Sequence, residues 1–328
     1  MISITGGSGF IGSYLSKRLA QRQLRFTILD RRAAPLFPER RIDCDICDIE
    51  ALRKTLQGET IIHLAAEHRD DVRPVSRYRD VNVTGTDNVA RVAREKGIER
   101  IVFTSTVAVY GFAPPDTGED GAINPFNDYG RTKFEAEEIL RAWQAEDPQR
   151  RSLTIIRPTV VFGPSNRGNV FNLLSFISSG RFVMIGNGKN RKSMAYVENV
   201  AAFLHFAGGF GPGVHLYNYV DKPDLTMNAL VGLVRKRLFG KEGVGLRLPF
   251  WLGMAAGHAA DLVARTSGRT LPVSAIRVRK FCATTSFASA AHAVDGFVAE
   301  TSLSEAIETT LQQEFLTPDP DAPIFYTE

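Results

Sequence analysis

The sequence predicts an α/β fold built on a doubly wound parallel sheet, with a smaller lobe toward the C-terminus. Three observations predict it. Short apolar runs alternate with longer amphipathic stretches through the first half of the chain. The first run, ISIT, ends in a glycine-rich turn that opens an amphipathic stretch, and an acidic residue, Asp30, closes the second run. Runs that are apolar on both faces belong to parallel strands covered by helices on either side, and strict alternation of strand and helix is the pattern of a Rossmann-type sheet.

The strands are expected at ISIT (2–5), FTILD (26–30), TIIHLAA (60–66), IVFTST (101–106) and LTIIRPTVVFG (153–163). Helices are expected over 10–22, 49–57, 80–97 and 127–146; in the first, Phe10, Ile11, Tyr14, Leu15 and Leu19 recur on one face. After about residue 163 the rhythm weakens into Gly- and Asn-rich turns, GPSNRGN and IGNGKNRKS, although SMAYV (193–197) still reads as a strand. The expected division is a dinucleotide-binding domain over 1–165, rejoined by a segment at about 193–220, with most of 166–328 forming a substrate-binding lobe.

Composition narrows the class. The 328 residues carry 40 Lys and Arg against 36 Asp and Glu, a net charge of +4, too small and too dispersed for a nucleic-acid binder but compatible with an anionic small ligand. Three cysteines in this length suit a reducing compartment, and the chain opens directly on a strand, so a cytoplasmic protein is expected. Cys44 and Cys47 form a C-x-x-C, but no second Cys or His pair stands ready to complete a metal site. The apolar stretch LPFWLGMAAGHAADLVA (248–264) is interrupted by Pro249, Gly253, Gly257, His258 and Asp261. That is too broken to span a bilayer. A surface or substrate-lid helix is expected there, with peripheral membrane contact left open.

The opening turn can be read as T-G-x-x-G-x-x-G over 5–12 or as G-x-G-x-x-G at Gly7, Gly9 and Gly12. Glycines permit the tight turn, let the backbone approach a pyrophosphate and let the helix pack on the strand, while free N–H groups at the helix start meet the phosphate charge. Asp30 lies 18 residues past Gly12. A carboxylate there accepts from the ribose hydroxyls and repels a 2′-phosphate, which favours NAD; Arg31 and Arg32 leave NADP open. Further on, YGRTK puts Tyr129 and Lys133 four residues apart on one helix face. An adjacent ammonium and a cationic nicotinamide both favour phenolate, so such a tyrosine can take a proton from a hydroxyl while hydride leaves the same carbon. Thr104, Ser105 and Thr106 stand at the carboxyl end of a strand, where open sheets bind ligands.

Together TGGSGFIG, ILD, CDICD, IIHLAA, VNVTGT, FTSTVAVYG, YGRTK, IIRPTVVFGP and IGNGKNRKSMAYVENVA resemble the extended short-chain dehydrogenase/reductases of the NAD-dependent epimerase/dehydratase family, whose members act largely on nucleotide sugars. The resemblance implies a cofactor site made of Gly6, Gly9, Phe10, Ile11, Gly12 and Asp30, with Asp45 and Ile46 along the adenine and Leu64, Ala65 and Ala66 along the middle of NAD. It implies Thr106, Tyr129 and Lys133 as the catalytic group, with Tyr129 and Lys133 also touching the cofactor, Thr106 and Ser105 also touching the substrate, and Ser105 as the neighbouring alternative to Thr106. Pro158 would sit near the nicotinamide, with Arg157 as a structural ion partner, and Asn82 would be a structural asparagine. Asn169, Arg191 and Lys192 fall where the family binds the nucleotide diphosphate, and a homodimer is implied. The sequence departs from the sugar 4,6-dehydratases, which have an Asp-Glu pair after the catalytic threonine. Here Val107 and Ala108 stand there, and elimination of water loses its proton donors. What the resemblance implies first is an epimerase acting at C4 of a UDP-hexose or UDP-N-acetylhexosamine. A net dehydrogenase or reductase of a keto-sugar or sterol-like alcohol, and a non-catalytic dinucleotide sensor, are the other two readings.

Overall fold

The computed structural model describes residues 1–69, 72–267 and 274–327. Its centre is a seven-stranded sheet in the order β10-β6-β5-β4-β1-β2-β3, with every pairing parallel. The strands are β1 (Ile2–Thr5), β2 (Phe26–Leu29), β3 (Arg41–Ile42), β4 (Thr60–His63), β5 (Arg100–Thr104), β6 (Ser152–Pro158) and β10 (Gly213–Tyr219). Neighbouring residues of a strand point to opposite faces, so a run buried on both must be apolar throughout. Thus Ile62, Val102 and Ile156 pack under α1 (Phe10–Gln21) and α7 (Val197–Ala207), while Ile61, Ile101 and Ile155 pack under α2 (Ile49–Thr55), α4 (Gly85–Glu95) and α5 (Asp128–Ala145).

The expected helix over 80–97 is composite. A short α3 (Ser76–Arg79) leads into a π turn, Asp80–Thr84, and only then into α4. The long run 153–163 breaks at Thr159, after Pro158, which has no N–H for a ladder. Its second part, β7 (Val160–Phe162), leaves the main sheet and pairs with β9 (Met194–Tyr196), so SMAYV is a strand but not one of the central seven. The chain returns to the main sheet through β10, alongside β6.

The remaining elements are α6 (Asn169–Ser178), β8 (Met184–Ile185), α8 (Met227–Phe239), β11 (Arg247–Leu248), α9 (Phe250–Ser267), α10 (Ala275–Cys282) and α11 (Leu303–Leu311). A second apolar cluster joins α6, α8 and α11 through Leu174, Leu230, Val234 and Ile307. Of the stretch 248–264, residues 250–264 lie in α9, and among the described residues no helix is long and apolar enough to cross a membrane.

The site is positioned by the topology. From β1 the chain runs to β2 on one side, while β4 lies on the other. The loops after β1 and β4 therefore diverge and leave a crevice at the carboxyl ends of the strands.

Candidate active site

The loops at that crevice touch. Gly6 has φ +71°, and a Cβ on it would stand 2.5 Å from the Ala65 nitrogen; a Cβ on Gly12 would stand 2.5 Å from the Gly7 Cα. Only glycine allows both approaches. Leu64, Ala65 and Ala66 form the opposing wall, tied down where Leu64 N donates to the Thr5 carbonyl at 2.9 Å. Helix α1 starts at Phe10 with Gly9 as its N-cap, no side chain caps it, and its first turn holds no acidic residue. The first-turn N–H groups of Phe10, Ile11 and Gly12 are thus left for an anion at the positive end of the helix, as a pyrophosphate requires.

Asp30 braces the same loop. Its Oδ2 accepts from Ser8 N at 3.0 Å and its Oδ1 from Arg32 N at 2.9 Å. Arg31 turns toward Asp45, with 3.8 Å between Nη1 and Oδ2, while Asp45 Oδ1 accepts from Cys47 N at 2.9 Å. Arg31 therefore has an acid beside it rather than standing free for a 2′-phosphate. Ile46 is buried against Gly85, where a Cβ would fall 2.5 Å from its Cδ1. Cys44 and Cys47, which flank Asp45 and Ile46, are free thiols. These residues fit a dinucleotide with unphosphorylated ribose. Asp30→Ala is expected to weaken NAD binding about tenfold and to narrow the preference for NAD over NADP, read by calorimetric titration of both dinucleotides; unchanged discrimination would contradict the assignment.

The hydroxyl pair is set by how α5 begins. Asn127 caps the helix, its Oδ1 accepting from Gly130 N at 2.9 Å, and a Cβ on Gly130 would come within 2.5 Å of the Ala108 carbonyl oxygen. The first turn of α5 thus rests on the 3₁₀ turn Val107–Tyr110 that follows β5. Thr106 caps that turn, accepting from Ala108 N at 3.1 Å, and its side chain is hydrogen-bonded to the Tyr129 hydroxyl. Tyr129 keeps a partly open face, yet burial pushes its phenol up to about 12, against the Thr106 bond. One turn on, Lys133 is 2% exposed, with its ammonium 4.0 Å from the centre of the Phe103 ring. Burial pulls it down to about 7, with Glu137 acting in the opposite direction.

Ser105 is committed elsewhere. Its hydroxyl donates to Glu137 Oε1 at 2.5 Å, and the same carboxylate accepts from Arg157 Nε at 2.8 Å and Nη2 at 2.5 Å. Arg157 Nη1 donates to the Tyr110 hydroxyl oxygen, and Tyr110 donates to Asn218 Oδ1, each at 2.8 Å. This buried chain fixes the end of β6, where Pro158 lies. Asn82, at the middle of the π turn, accepts from Glu67 N at 2.8 Å and donates to Glu67 O at 2.9 Å and Thr132 Oγ1 at 3.0 Å. It links the loop after β4 to α5. On the substrate side, Asn169 opens α6 and is exposed, as is Arg191. Lys192 has its ammonium engaged by the Lys280 carbonyl at 2.9 Å and Thr285 Oγ1 at 3.1 Å.

Residues 2–218 match the NAD dependent epimerase/dehydratase family. The chain belongs to that family. It is 45% identical over 329 residues, covering 100% of this chain and 99% of the relative, to the N-acetyl-alpha-D-glucosaminyl-diphospho-ditrans,octacis-undecaprenol 4-epimerase of Escherichia coli O157:H7. A decarboxylating sterol-4-alpha-carboxylate 3-dehydrogenase of Bos taurus is 32% identical over 76% of this chain and 73% of its own. Among solved structures, a UDP-N-acetylglucosamine 4-epimerase from Bacillus cereus superposes with a TM-score of 0.73 at 18% identity, covering 94% of this chain and 96% of that one; the likeness concerns the fold.

As an epimerase/dehydratase family enzyme the chain takes NAD as its cofactor. Three polar groups of this family member escape a reading by motif. Glu137 has only its spacing to signal it, four residues after Lys133 on the same helix. His63 is fully buried between Thr5 Oγ1, 2.6 Å from Nδ1, and Thr86 Oγ1, 3.0 Å from Nε2. Thr86 donates to the Asn82 carbonyl, so its oxygen is left to accept from Nε2–H, and burial holds the ring neutral at about 3. His68 keeps an exposed edge but is crowded by the cleft; that crowding, then the charges of Arg32 and Lys133, hold it below the usual range.

Proposed function

We propose that the protein is an NAD-dependent 4-epimerase that inverts C4 of an N-acetylhexosamine carried on a diphosphate. The observation that carries the reading is the meeting of Thr106 and Tyr129 hydroxyls at the carboxyl edge of the sheet, one helical turn from Lys133, with Val107 and Ala108 where an elimination would need an acid and a base. Full-length relation to the E. coli protein named as a GlcNAc-diphospho-undecaprenol 4-epimerase supports the sugar and its diphosphate, and extends the substrate class from nucleotide to lipid carriers.

In this reading Tyr129 accepts the proton of the C4 hydroxyl and later returns it. Thr106 bridges the sugar oxygen and the phenol, holding both in line, and Lys133 steadies the phenolate. NAD, held by the glycine turn, Asp30 and the Leu64–Ala66 wall, would supply the reversible redox chemistry at C4. The N-terminus of α6 at Asn169, with the Arg191 guanidinium, receives the diphosphate. The sugar turns over between the two proton transfers, so no net oxidation remains. The three free thiols suit the cytoplasm, and the family resemblance supports a homodimer, checked by light scattering for a mass near twice 36.2 kDa.

The test incubates the enzyme and NAD with GlcNAc-diphospho-polyprenol and, separately, UDP-GlcNAc, and resolves the products by NMR. The expected outcome is the C4 epimer with nicotinamide absorbance unchanged at the end point. Stoichiometric formation or consumption of NADH would replace this reading with a net dehydrogenase.

A further inference from the structure

Helix α9 is built inside out. Between Pro249 and Ala264 its one charged residue is Asp261, whose Oδ2 accepts from Ala275 N at 3.1 Å. The small residues face the protein: a Cβ on Gly253 would stand 2.5 Å from Ile185 Cγ2, and one on Gly257 would stand 2.8 Å from the Ala275 Cα. The large ones face outward, with Trp251 67% exposed, Phe250 45%, and Leu252 exposed beside them; Leu246, just before the helix, is 66% exposed. A surface helix of a soluble protein turns its apolar stripe inward, so this outward array calls for a partner.

Charge indicates which partner. Residues 235–282 hold ten Lys and Arg against two Asp and Glu, a net of +8 in a chain whose total is +4. Helix α10, packed against α9, exposes Ile276 just before Arg277, with Arg279 and Lys280 exposed a turn later. Two copies of a face that exposes Arg279 and Lys280 beside its apolar array would repel one another. A layer of lipid phosphates over hydrocarbon complements both features, since apolar side chains enter the headgroup boundary and cations meet the phosphates.

We propose that the α9–α10 face is a docking surface for an anionic phospholipid bilayer. Its position suits the active lobe: Phe281 packs on Phe182 with ring centres 6.1 Å apart, and Lys192 donates to the Lys280 carbonyl. The face therefore adjoins the Arg191–Lys192 segment, where a diphosphate lying at headgroup depth would be met. The proposal goes beyond the epimerase reading and is tested without substrate, so either can fail alone.

The chain has two tryptophans, of which Trp143 is buried, so a change in emission on membrane binding reports Trp251. The NAD-loaded protein is mixed with vesicles of phosphatidylethanolamine and phosphatidylglycerol, or of phosphatidylcholine alone, then sedimented. Expected are cosedimentation with the anionic vesicles, a blue-shifted emission, and weakening by salt. Binding should fall about tenfold or more in Trp251→Glu/Leu252→Glu, and separately in Arg279→Glu/Lys280→Glu, the two contributions acting independently. Retained NAD and an unchanged circular dichroism spectrum verify folding, and the charge variant carries the test if the apolar one does not fold. The proposal is overturned if the parent protein stays in the supernatant with anionic vesicles, if the charge variant binds as the parent does, or if Trp251→Glu/Leu252→Glu dissociates an oligomer and so shows a second copy on this face.

Discussion

Tyr129→Phe is expected to lower turnover by about 10³-fold while NAD remains bound, because it removes one oxygen and leaves the ring in place. Burial has already raised the phenol to about 12, and the same packing that desolvates it holds it against Thr106. In the proposed mechanism the working form is the phenolate, so parent turnover is expected to rise with pH, and the residual activity of Tyr129→Phe is expected to show no such rise. Turnover of the variants at several pH values, with bound dinucleotide measured after denaturation, checks this. A variant as active as the parent would remove Tyr129 from the chemistry, and one lacking NAD would make it a cofactor ligand first.

Lys133→Met is expected to abolish turnover and yet stabilise the fold at neutral and lower pH. A lysine brought from 10.5 to about 7 by burial binds its proton less tightly in the folded chain than in the unfolded one. The folded state therefore bears the full penalty below pH 7, and parent stability rises with pH between about 7 and 10.5. At about 1.4 kcal/mol for each pH unit the displacement corresponds to roughly 5 kcal/mol, an upper figure for what methionine recovers. Thermal melts of the cofactor-free proteins near pH 6 and pH 10 should show the variant ahead by a few degrees at the lower pH, with the gap closing at the higher. A variant less stable throughout would mean that Phe103 and Glu137 hold the ammonium more strongly than burial opposes it.

The candidate cofactor cradle was legible in the sequence because its glycines are a backbone requirement: Gly6 and Gly12 are dictated by approaches of 2.5 Å that no other residue permits. Tyr129 and Lys133 were legible because a helix fixes what lies four residues apart. Ser105 and Thr106 could not be separated in the same way. They are adjacent hydroxyls, and the packing of Gly130 on Ala108 gives one to Tyr129 and leaves the other to Glu137. The Glu137–Arg157 pair joins a helix to a strand, and Lys192 finds its acceptors at Lys280 and Thr285, contacts that exist only once the chain is folded. In the fold, the alternating runs gave the β1, β2, β4, β5 and β6 core, but β10 was harder to see. It is an edge strand of mixed residues, HLYNY, without the continuous apolar run of its neighbours.

Asn82 has a bearing on protein engineering. One amide side chain clips the loop after β4 at Glu67 to the N-terminal part of α5 at Thr132, fifty residues beyond Asn82 along the chain. A graft that transplants residues 128–145 from another enzyme would sever this clip unless residue 82 travelled with it. The exchangeable module is therefore the discontinuous unit of loop, π turn and helix, and chimaeras cut between them should fail at assembly before chemistry is ever tried.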